Sequence, residues 1–286
     1  GCDISQIVDM VAVGNTAMHH LFLGLPVKQL GEAPYVPVTN DAITVRASDL
    51  GVKLARGANI YLPPIIAGYV GADHAAMLLA TGAWQNDRTL IAIDIGTNTE
   101  VSLCHRGRLL SCSCASGPAF EGAHIGAGMR AAPGAIERVQ LIEGNLRIQT
   151  IGNKAAVGLC GSGIVDAVAV MAESALINHR GALDQMHKFA TPADDGRPQF
   201  TLVNASESGT GNEIIVTRQD VAEIQLAKGA IRSGIEILLG EAGISSDSVD
   251  EFIIAGAFGS YINVASAIRL GLFPQLPINR FHQVGN

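Results

Sequence analysis

The sequence predicts an α/β fold, because strand-like and helix-like segments alternate along the chain. Apolar runs such as MVAVG (10–14) and FIIAG (252–256) are short and end at Gly, as is typical of buried strands. The segment TRQDVAEIQLAKGAI (217–231) instead repeats its apolar residues at helical spacing. A chain of 286 residues is also long enough for two domains or lobes.

Each further element follows from a local pattern of apolar and turn residues. We expect a helix or turn after the first strand, an extended segment at 59–68 and a helix at 69–84. Three consecutive strands are expected at 88–96, 97–107 and 108–116. The remaining expected elements are a Gly-opened helix at 159–177, a polar loop or hairpin tip at 192–211, a helix at 217–240 and the strand at 252–256.

The composition excludes several classes of function. Charged residues make up 16% of the chain, the formal net charge is −7, and no run of Lys or Arg occurs, which argues against a nucleic-acid partner. The most apolar stretch, Tyr61 to Trp84, is interrupted by Pro63-Pro64, Asp73 and His74, so a membrane span is not expected. The first residues do not resemble a signal peptide, and we expect a cytoplasmic protein.

The cysteines and histidines suggest packing rather than metal binding. The five cysteines (Cys2, Cys104, Cys112, Cys114 and Cys160) contain no CxxC pair, so neither a disulfide framework nor an iron–sulfur cluster is expected from them. Adjacent residues on a helix point in different directions. The pair His19-His20 is therefore interpreted as structural or partner-facing rather than as a metal site.

The run IAIDIGTNTE carries the clearest chemical signal. A strand that ends at Asp94 and continues into Gly96, Thr97, Asn98 and Thr99 places several backbone N–H groups around one tight turn, and such turns bind anions. Asp94 would repel a phosphate unless a cation intervenes, and Mg²⁺ is the natural mediator. The alternative interpretation is an ordinary hairpin with an Asx-type turn.

Two further small-residue segments resemble ligand-binding turns. GLCGSGIVD (158–166) and IIAGAFGSY (253–261) each place Gly between a strand or loop and a helix start, where free N–H groups can meet an anion. Ordinary packing explains either segment alone, and their order after DIGTNTE strengthens the ligand interpretation.

A weak internal repeat connects the two ends of the chain. VAVGNTAMHHLFLGL (11–25) parallels IIAGAFGSYINVASAIRLGL (253–272), with an apolar strand, a small-residue turn, a helix and a Gly-Leu exit. Only the second copy follows a DIGTNTE hairpin, so the first lobe is expected to be incomplete. We therefore divide the chain into residues 1–84, the remainder of the first lobe with a connecting helix, and 85–286, the second lobe.

The ordered motifs resemble a known superfamily. A DxGTxT hairpin, a Gly-rich helix start and a late AGAFG turn are similar to those of the acetate and sugar kinase, heat-shock chaperone and actin superfamily. This resemblance implies an actin-like (ribonuclease H-like) two-lobe ATPase fold, with mixed sheets flanked by helices. DIGTNTE would be the phosphate hairpin of the second lobe, and IIAGAFG the turn on the adenosine side.

A closer resemblance covers nearly the whole chain. VGNTAMHHLFLGL, AIDIGTNTE, SGPAFEGAHIGAGM, GLCGSGIVDA and TRQDVAEIQLAKGAI are among seven segments that resemble the reductive activators of corrinoid-dependent methyltransferase proteins. The resemblance implies that ATP drives reduction of an inactive Co(II) corrinoid to Co(I). It also implies a corrinoid protein as partner, an iron–sulfur domain or protein as electron donor, and a cluster that is expected only in an upstream domain absent from this chain. A homodimer is one option.

The candidate site residues have different roles. Asp94 would orient the water shell of Mg²⁺ or cap the turn, and Gly96, Thr97, Asn98 and Thr99 would bind the β- and γ-phosphates. Glu121 would orient the attacking water or bond nearby N–H groups, and Glu100 would face either the cleft or solvent.

The remaining candidates concern the nucleoside. Asp166 would reach a ribose hydroxyl or pair with the helix N-terminus. Residues at the start of the Gly-opened helix would contact the nucleotide, namely Gly161, Ser162 and Gly163. The superfamily resemblance implies that residues from the late helix and the late turn border the adenosine, namely Gln225, Lys228, Gly256, Ala257, Phe258 and Gly259.

Three functions are consistent with these residues. The first is an ATPase module coupled to corrinoid reduction. The second is a small-molecule kinase of the same superfamily, although no sugar-kinase acceptor signature is found. The third is a nucleotide-gated scaffold without turnover.

Overall fold

The computed structural model describes residues 3–85 and 87–285, and the chain forms two compact units. The first unit extends to Asp87 and includes Ser102–Ser113. The second unit comprises Arg88–Val101 and the residues from Cys114 onward. Cys2 lies outside the described residues.

Within the described ranges, strands and helices alternate as the sequence predicts. The strands are β1 (Asp9–Val11), β2 (Ile43–Arg46), β3 (Asn59–Leu62), β4 (Leu90–Ile95), β5 (Thr99–His105), β6 (Arg108–Cys114), β7 (Ala135–Ile142), β8 (Asn145–Thr150), β9 (Gly158–Leu159), β10 (Ala190–Pro192), β11 (Pro198–Val203), β12 (Ile214–Val216), β13 (Glu251–Ala255) and β14 (Phe281–Gly285). The helices are α1 (Thr16–Phe22), α2 (Ala72–Thr81), α3 (Gly161–Glu173), α4 (Arg218–Ala242) and α5 (Val264–Leu270).

The first unit contains a small mixed sheet with the strand order β1-β3-β2. Strand β3 runs parallel to β1 and antiparallel to β2. Ile60 and Leu62 alternate with exposed neighbours along β3 and are buried together with Ala47 and Ala58. The predicted strand, helix, extended segment and second helix of this region are confirmed, with each element shorter than the sequence suggested.

The two adjacent histidines of α1 are buried within the first unit. The N–H of Val38 donates to Nε2 of His20 at 3.0 Å, so the ring proton of neutral His20 is on Nδ1, which donates to the carbonyl of Thr16 at 2.9 Å. His19 is 3% exposed, and burial beside His20 lowers its pKa. These contacts confirm a structural role for the pair.

The largest sheet has the strand order β14-β13-β4-β5-β6, and the predicted three-strand segment supplies its last three strands. Strand β13 runs parallel to both β4 and β14. Leu90, Ile91, Ala92 and Ile93 are all at most 1% exposed. Such burial on both faces is typical of parallel strands and explains the unbroken apolar run.

The helices of the second unit bear out the sequence patterns. Helix α4 begins with a capping box, in which Thr217 and Asp220 bond each other's backbone N–H groups, and it ends at Gly243 in the left-handed conformation. Helix α3 is buried from Gly161 to Met171, because small and apolar residues occur on all its faces.

Some strands were not predicted. Strands β7 and β8 form an antiparallel hairpin whose turn residues Glu143 and Gly144 both have positive φ. The predicted hairpin tip at 192–211 is confirmed only in part, because β11 occupies Pro198–Val203 and buries Phe200 completely. None of the described helices is long and apolar enough to cross a bilayer.

Candidate functional site

The turn between β4 and β5 is braced from its inner side. Ser116 Oγ donates to the carbonyl of Gly96 at 3.2 Å, and the N–H of Gly117 donates to the carbonyl of Thr97 at 3.0 Å. Thr97 and Asn98 remain exposed at the tip. The predicted turn between two strands is confirmed, whereas its binding of phosphate stays a prediction.

Thr99 lies inside the protein and not at the surface of the turn that would contact phosphate, where the sequence predicts it. Its side chain is fully buried, and its Oγ1 lies 2.7 Å from Ser116 Oγ. The hydroxyl is therefore used in bracing the turn, which argues against its expected role as a phosphate ligand. Glu100 is half-buried on β5, and Asn98 is exposed, but neither lines the cavity described below.

Glu121 is brought to the turn by the short 3₁₀ helix Pro118–Glu121. Its carboxylate Oε1 accepts a hydrogen bond from Thr97 Oγ1, although the two residues are 24 positions apart. The side chain is otherwise exposed, so it can meet both the turn and a bound ligand. This position fits the predicted water-orienting role and does not test it.

The start of α3 lies against two other segments at very short range. A Cβ on Gly161 would lie 2.0 Å from the carbonyl oxygen of Phe120, and a Cβ on Gly163 would lie 2.1 Å from that of Ile136. Only Gly fits at either position. Gly161 and Ser162 face the cavity, whereas Gly163 faces β7, so the predicted nucleotide contact of Gly163 is not supported.

The turn after β13 meets Asp94. Ala255 is the register partner of Asp94, and Gly256 follows with a φ of 87°. A Cβ on Gly256 would lie 2.6 Å from Asp94 Oδ1, so a side chain here would displace the carboxylate. Gly259 performs a similar packing role against the carbonyl of Ala255 and does not line the cavity.

Two aromatic rings close one side of the site. Phe258 stacks on Phe120 with centroids 4.8 Å apart and planes 7° from parallel. A Cβ on Gly161 would also lie 2.9 Å from the Phe258 ring, so the glycine makes room for this stack.

Three predicted nucleoside contacts lie elsewhere in the second unit. Asp166 is fully buried, accepts a hydrogen bond from Ser266 Oγ at 2.7 Å, and lies near Arg138. Burial raises its pKa. The ribose interpretation of Asp166 is therefore corrected to a structural one, because its oxygens are used inside the protein.

The two predicted contacts on α4 also fail to reach the cavity. The side-chain amide of Gln225 packs against Gly181, and Lys228 extends toward Gly271. Neither residue lines the cavity, so their expected adenosine contacts are not supported.

The parts of the site that do come together surround a cavity of about 560 Å³. Its lining includes residues from the β4–β5 turn, the 3₁₀ helix, the start of α3 and the late turn, together with residues 129–131, one residue of β7 and one that follows β8. The lining residues are Ile95, Gly96, Phe120, Glu121, Met129, Arg130, Ala131, Glu137, Ile151, Cys160, Gly161, Ser162, Ala257, Phe258 and Tyr261. Six of these were predicted from the sequence: Gly96, Glu121, Gly161, Ser162, Ala257 and Phe258.

The lining residues that sequence reasoning missed include two charged ones, Arg130 and Glu137. Glu137 lies on β7 and accepts a hydrogen bond from Gln149 Nε2 at 3.0 Å. Arg130 directly follows the motif SGPAFEGAHIGAGM. The many glycines of this motif were the sequence signal that could have drawn attention to Arg130.

The predicted metal ligand is Asp94, near the end of β4. The described residues include no group of three or more His, Cys, Asp or Glu side chains that could hold a metal ion. They therefore do not fit an iron–sulfur cluster, which needs about four ligands. If the turn binds phosphate, Asp94 would fit Mg²⁺, which takes most of its oxygens from water and phosphate.

Comparison with known proteins identifies the family and the fold of the chain. A family model described as the C-terminal domain of RACo, the ASKHA domain, matches residues 88–286, and the model of the RACo middle region matches residues 1–86. The chain is similar to a solved structure titled "Reductive activator for corrinoid,iron-sulfur protein", with a TM-score of 0.88 and 37% identity over all of this chain and 46% of that one.

Two curated proteins are similar over nearly the whole chain. The corrinoid activation enzyme RamQ of Eubacterium limosum is 38% identical over 99% of this chain and 49% of its own length. The [Co(II) methylated amine-specific corrinoid protein] reductase of Methanosarcina barkeri is 29% identical over 95% of this chain and 52% of its own length. The chain thus spans about half the length of these relatives.

Proposed function

Because this chain belongs to the family of the RACo C-terminal ASKHA domain, we propose that it binds Mg-ATP and couples ATP hydrolysis to the reductive activation of a corrinoid protein. The match to a reductive activator at a TM-score of 0.88 supports the actin-like fold on which this proposal depends. The names of the two curated relatives, a corrinoid activation enzyme and a corrinoid protein reductase, support the choice of partner.

One observation about the site carries the proposal. Segments separated by up to about 160 residues, from Gly96 to Phe258, line a single cavity. The sequence motifs and the superfamily resemblance predict three of these segments as nucleotide contacts, and they predict a fourth as the source of the catalytic Glu121. An ATP molecule needs such a combination, with free backbone N–H groups for phosphates and an apolar wall for the base.

The proposed roles of the individual residues are as follows. Gly96 binds the terminal phosphates at the cavity wall, with Thr97 and Asn98 beside it at the exposed tip of the turn. Gly161 and Ser162 offer the positive end of α3 to the nucleotide. Ala257 and Phe258 border the base. Mg²⁺, held through water by Asp94, would neutralise charge on the phosphates.

Glu121 orients the attacking water in this proposal. Its hydrogen bond from Thr97 keeps one carboxylate oxygen next to the turn that binds the terminal phosphate. The second oxygen remains available to accept a proton or hydrogen bond from water.

The organisation of the wider protein is also a proposal. Residues 1–84 would be the remainder of the first lobe and 85–286 the second lobe. ATP hydrolysis would provide the energy for electron transfer from an iron–sulfur donor to Co(II). The proposed partners are a corrinoid protein, an iron–sulfur electron donor and a second copy of this chain in a homodimer.

The test combines two measurements on the protein with a corrinoid protein and a low-potential reductant. We expect ATP to be hydrolysed and the Co(I) absorption spectrum to develop only when ATP and Mg²⁺ are present. Glu121→Gln should lose both activities while still binding ATP, whereas Arg147→Gln, at an exposed position outside the cavity, should retain both.

The outcomes separate the alternatives. Formation of Co(I) without ATP, or its absence with every corrinoid partner tried, would refute the coupling. Transfer of the terminal phosphate to a metabolite would instead identify a kinase, and binding without turnover would identify a nucleotide-gated scaffold.

A further inference from the structure

We propose that Arg130 binds the polyphosphate of the nucleotide and is the cation that the protein itself supplies to this site. This assignment rests on the proposed function, since it concerns the same ATP site. Neither the motifs nor the resemblance to known families assigned a role to Arg130.

The charges around the cavity point to an anionic ligand for Arg130. Among the described lining residues, the ionisable side chains of Asp, Glu, Lys or Arg type are Glu121, Arg130 and Glu137. Glu121 accepts a hydrogen bond from Thr97, and Glu137 accepts one from Gln149. Arg130 differs from both, because its side chain forms no hydrogen bond or ion pair with any residue in the described ranges 3–85 and 87–285.

The backbone that precedes Arg130 is fixed by close packing. The N–H of Met129 donates to the carbonyl of Leu159 at 2.8 Å. A Cβ on Gly122 would lie 2.6 Å from both the nitrogen and the oxygen of Met129, and a Cβ on Gly158 would lie 2.9 Å from Met129 Sδ. These glycines let three segments meet at Met129, so the backbone places Arg130 at a defined position of the cavity wall, from which its exposed side chain can reach a ligand.

This packing explains why the motif SGPAFEGAHIGAGM contains several glycines after Glu121. Gly122 has a φ of 81°, a conformation that favours Gly, and a Cβ on Gly128 would lie 2.0 Å from the carbonyl of Gly122. The glycines therefore build a rigid support, and the residue that the support presents to the cavity is Arg130.

The charges around the cavity indicate that Arg130 binds the phosphates of the nucleotide rather than its base. The protein has a formal net charge of −7, and two carboxylates line the cavity, so the polyphosphate of ATP meets a negative environment. A guanidinium remains charged at all relevant pH values and matches the geometry of two phosphate oxygens. A single Mg²⁺ neutralises only part of the charge of ATP, and Arg130 supplies a further positive charge.

The experiment compares four ligands that differ in phosphate number. Affinities for ATP, ADP, AMP and adenosine are measured by calorimetry with Mg²⁺ on the wild-type protein, Arg130→Gln, Arg130→Lys and Arg147→Gln. Arg147 is a matched control, since it is exposed on the neighbouring strand β8 and does not line the cavity.

We expect Arg130→Gln to weaken ATP binding by about ten- to a hundredfold, the effect of losing a charge-assisted hydrogen bond. The loss should decrease through ADP and AMP and vanish for adenosine, and Arg130→Lys should recover part of the affinity. Arg147→Gln should match the wild type. Circular dichroism melting checks that each variant is folded.

Three results would overturn the assignment. Equal losses for adenosine and ATP would show that Arg130 contacts the nucleoside or shapes the cavity. Unchanged ATP affinity in Arg130→Gln would show that its charge is not used. If the wild-type protein binds none of the four ligands while remaining folded, the proposed function itself fails, and the role of Arg130 fails with it.

Discussion

Acidification should destabilise the first unit through one buried histidine, His74 on α2. Its side chain is completely buried, and Nε2 lies 2.7 Å from Ser102 Oγ, which in turn lies 2.7 Å from Ser111 Oγ. Burial lowers the pKa of His74 from 6.5 to about 4. The imidazole is therefore neutral in the folded protein over a range of pH in which the unfolded chain protonates it.

The sign and the size of the effect follow from this difference in pKa. Above a pH of about 6.5 neither state binds the proton, and the contribution of His74 to stability is fully present. As the pH falls from about 6.5 to about 4, only the unfolded state gains the proton, so stability decreases. The difference in pKa corresponds to a loss of about 3 kcal/mol in the free energy of unfolding.

The assay is urea unfolding followed by the fluorescence of Trp84, the single tryptophan, which lies in the first unit with His74. We compare the wild type with His74→Gln, which keeps a polar group near Ser102 but does not titrate. His179→Gln is the control, because His179 is exposed.

His74→Gln should lose about 2 kcal/mol less stability than the wild type between about pH 7 and about pH 4.5. His179→Gln should lose as much as the wild type. If His74→Gln and the wild type show the same dependence on pH, then His74 titrates alike in both states and the argument from burial is wrong.

Four further predictions concern packing and the site. Gly163→Ala should destabilise the second unit by at least about 2 kcal/mol, because the new Cβ would lie 2.1 Å from a backbone oxygen. Gly229→Ala, where nothing lies within 4 Å of the new Cβ, should stabilise α4 by about 0.5–1 kcal/mol. Both variants are compared with the wild type by urea unfolding monitored by circular dichroism, and a midpoint equal to that of the wild type would contradict the expectation for that variant. Glu121→Gln should slow ATP hydrolysis by on the order of a hundredfold and leave the affinity for Mg-ATP nearly unchanged; an unaltered rate in a phosphate-release assay would exclude the water-orienting role. Asp166→Asn should lower the free energy of unfolding by about 1–3 kcal/mol without changing the affinity for ATP; weaker calorimetric binding at unchanged stability would restore the ribose contact.

Local sequence patterns were sufficient to predict the elements that have both a regular spacing of apolar residues and a clear signal at one end. The run before Asp94 predicts a buried strand, and the capping box at Thr217 marks the start of α4, because both signals involve neighbours in sequence. The hairpin of β7 and β8 was missed, although Glu143 and Gly144 mark its turn. Its strands carry the charged residues Glu137, Arg138 and Arg147, which weakened the apolar signal.

The site depends on contacts that sequence alone does not reveal. Asp166 lies one turn into α3, where a ribose contact was reasonable, but Ser266, a hundred residues later, accounts for its buried oxygen. Arg130 was missed for the same reason, since its position depends on the packing of Gly122 and Gly158 around Met129. Motifs indicated which backbone turns surround the cavity, whereas the side chains that join them there could be identified only from the tertiary structure.

Backbone hydrogen exchange, measured with and without Mg-ATP, tests most directly whether the cavity beside Asp94 is the nucleotide site. Saturating Mg-ATP should slow the exchange of amides in residues 95–99, 120–122, 160–163 and 256–259, because these segments bear or adjoin the lining residues. Amides of the exposed turn between β7 and β8 should be unaffected. Binding that protects only other segments, or leaves 95–99 unchanged at saturation, would contradict the account.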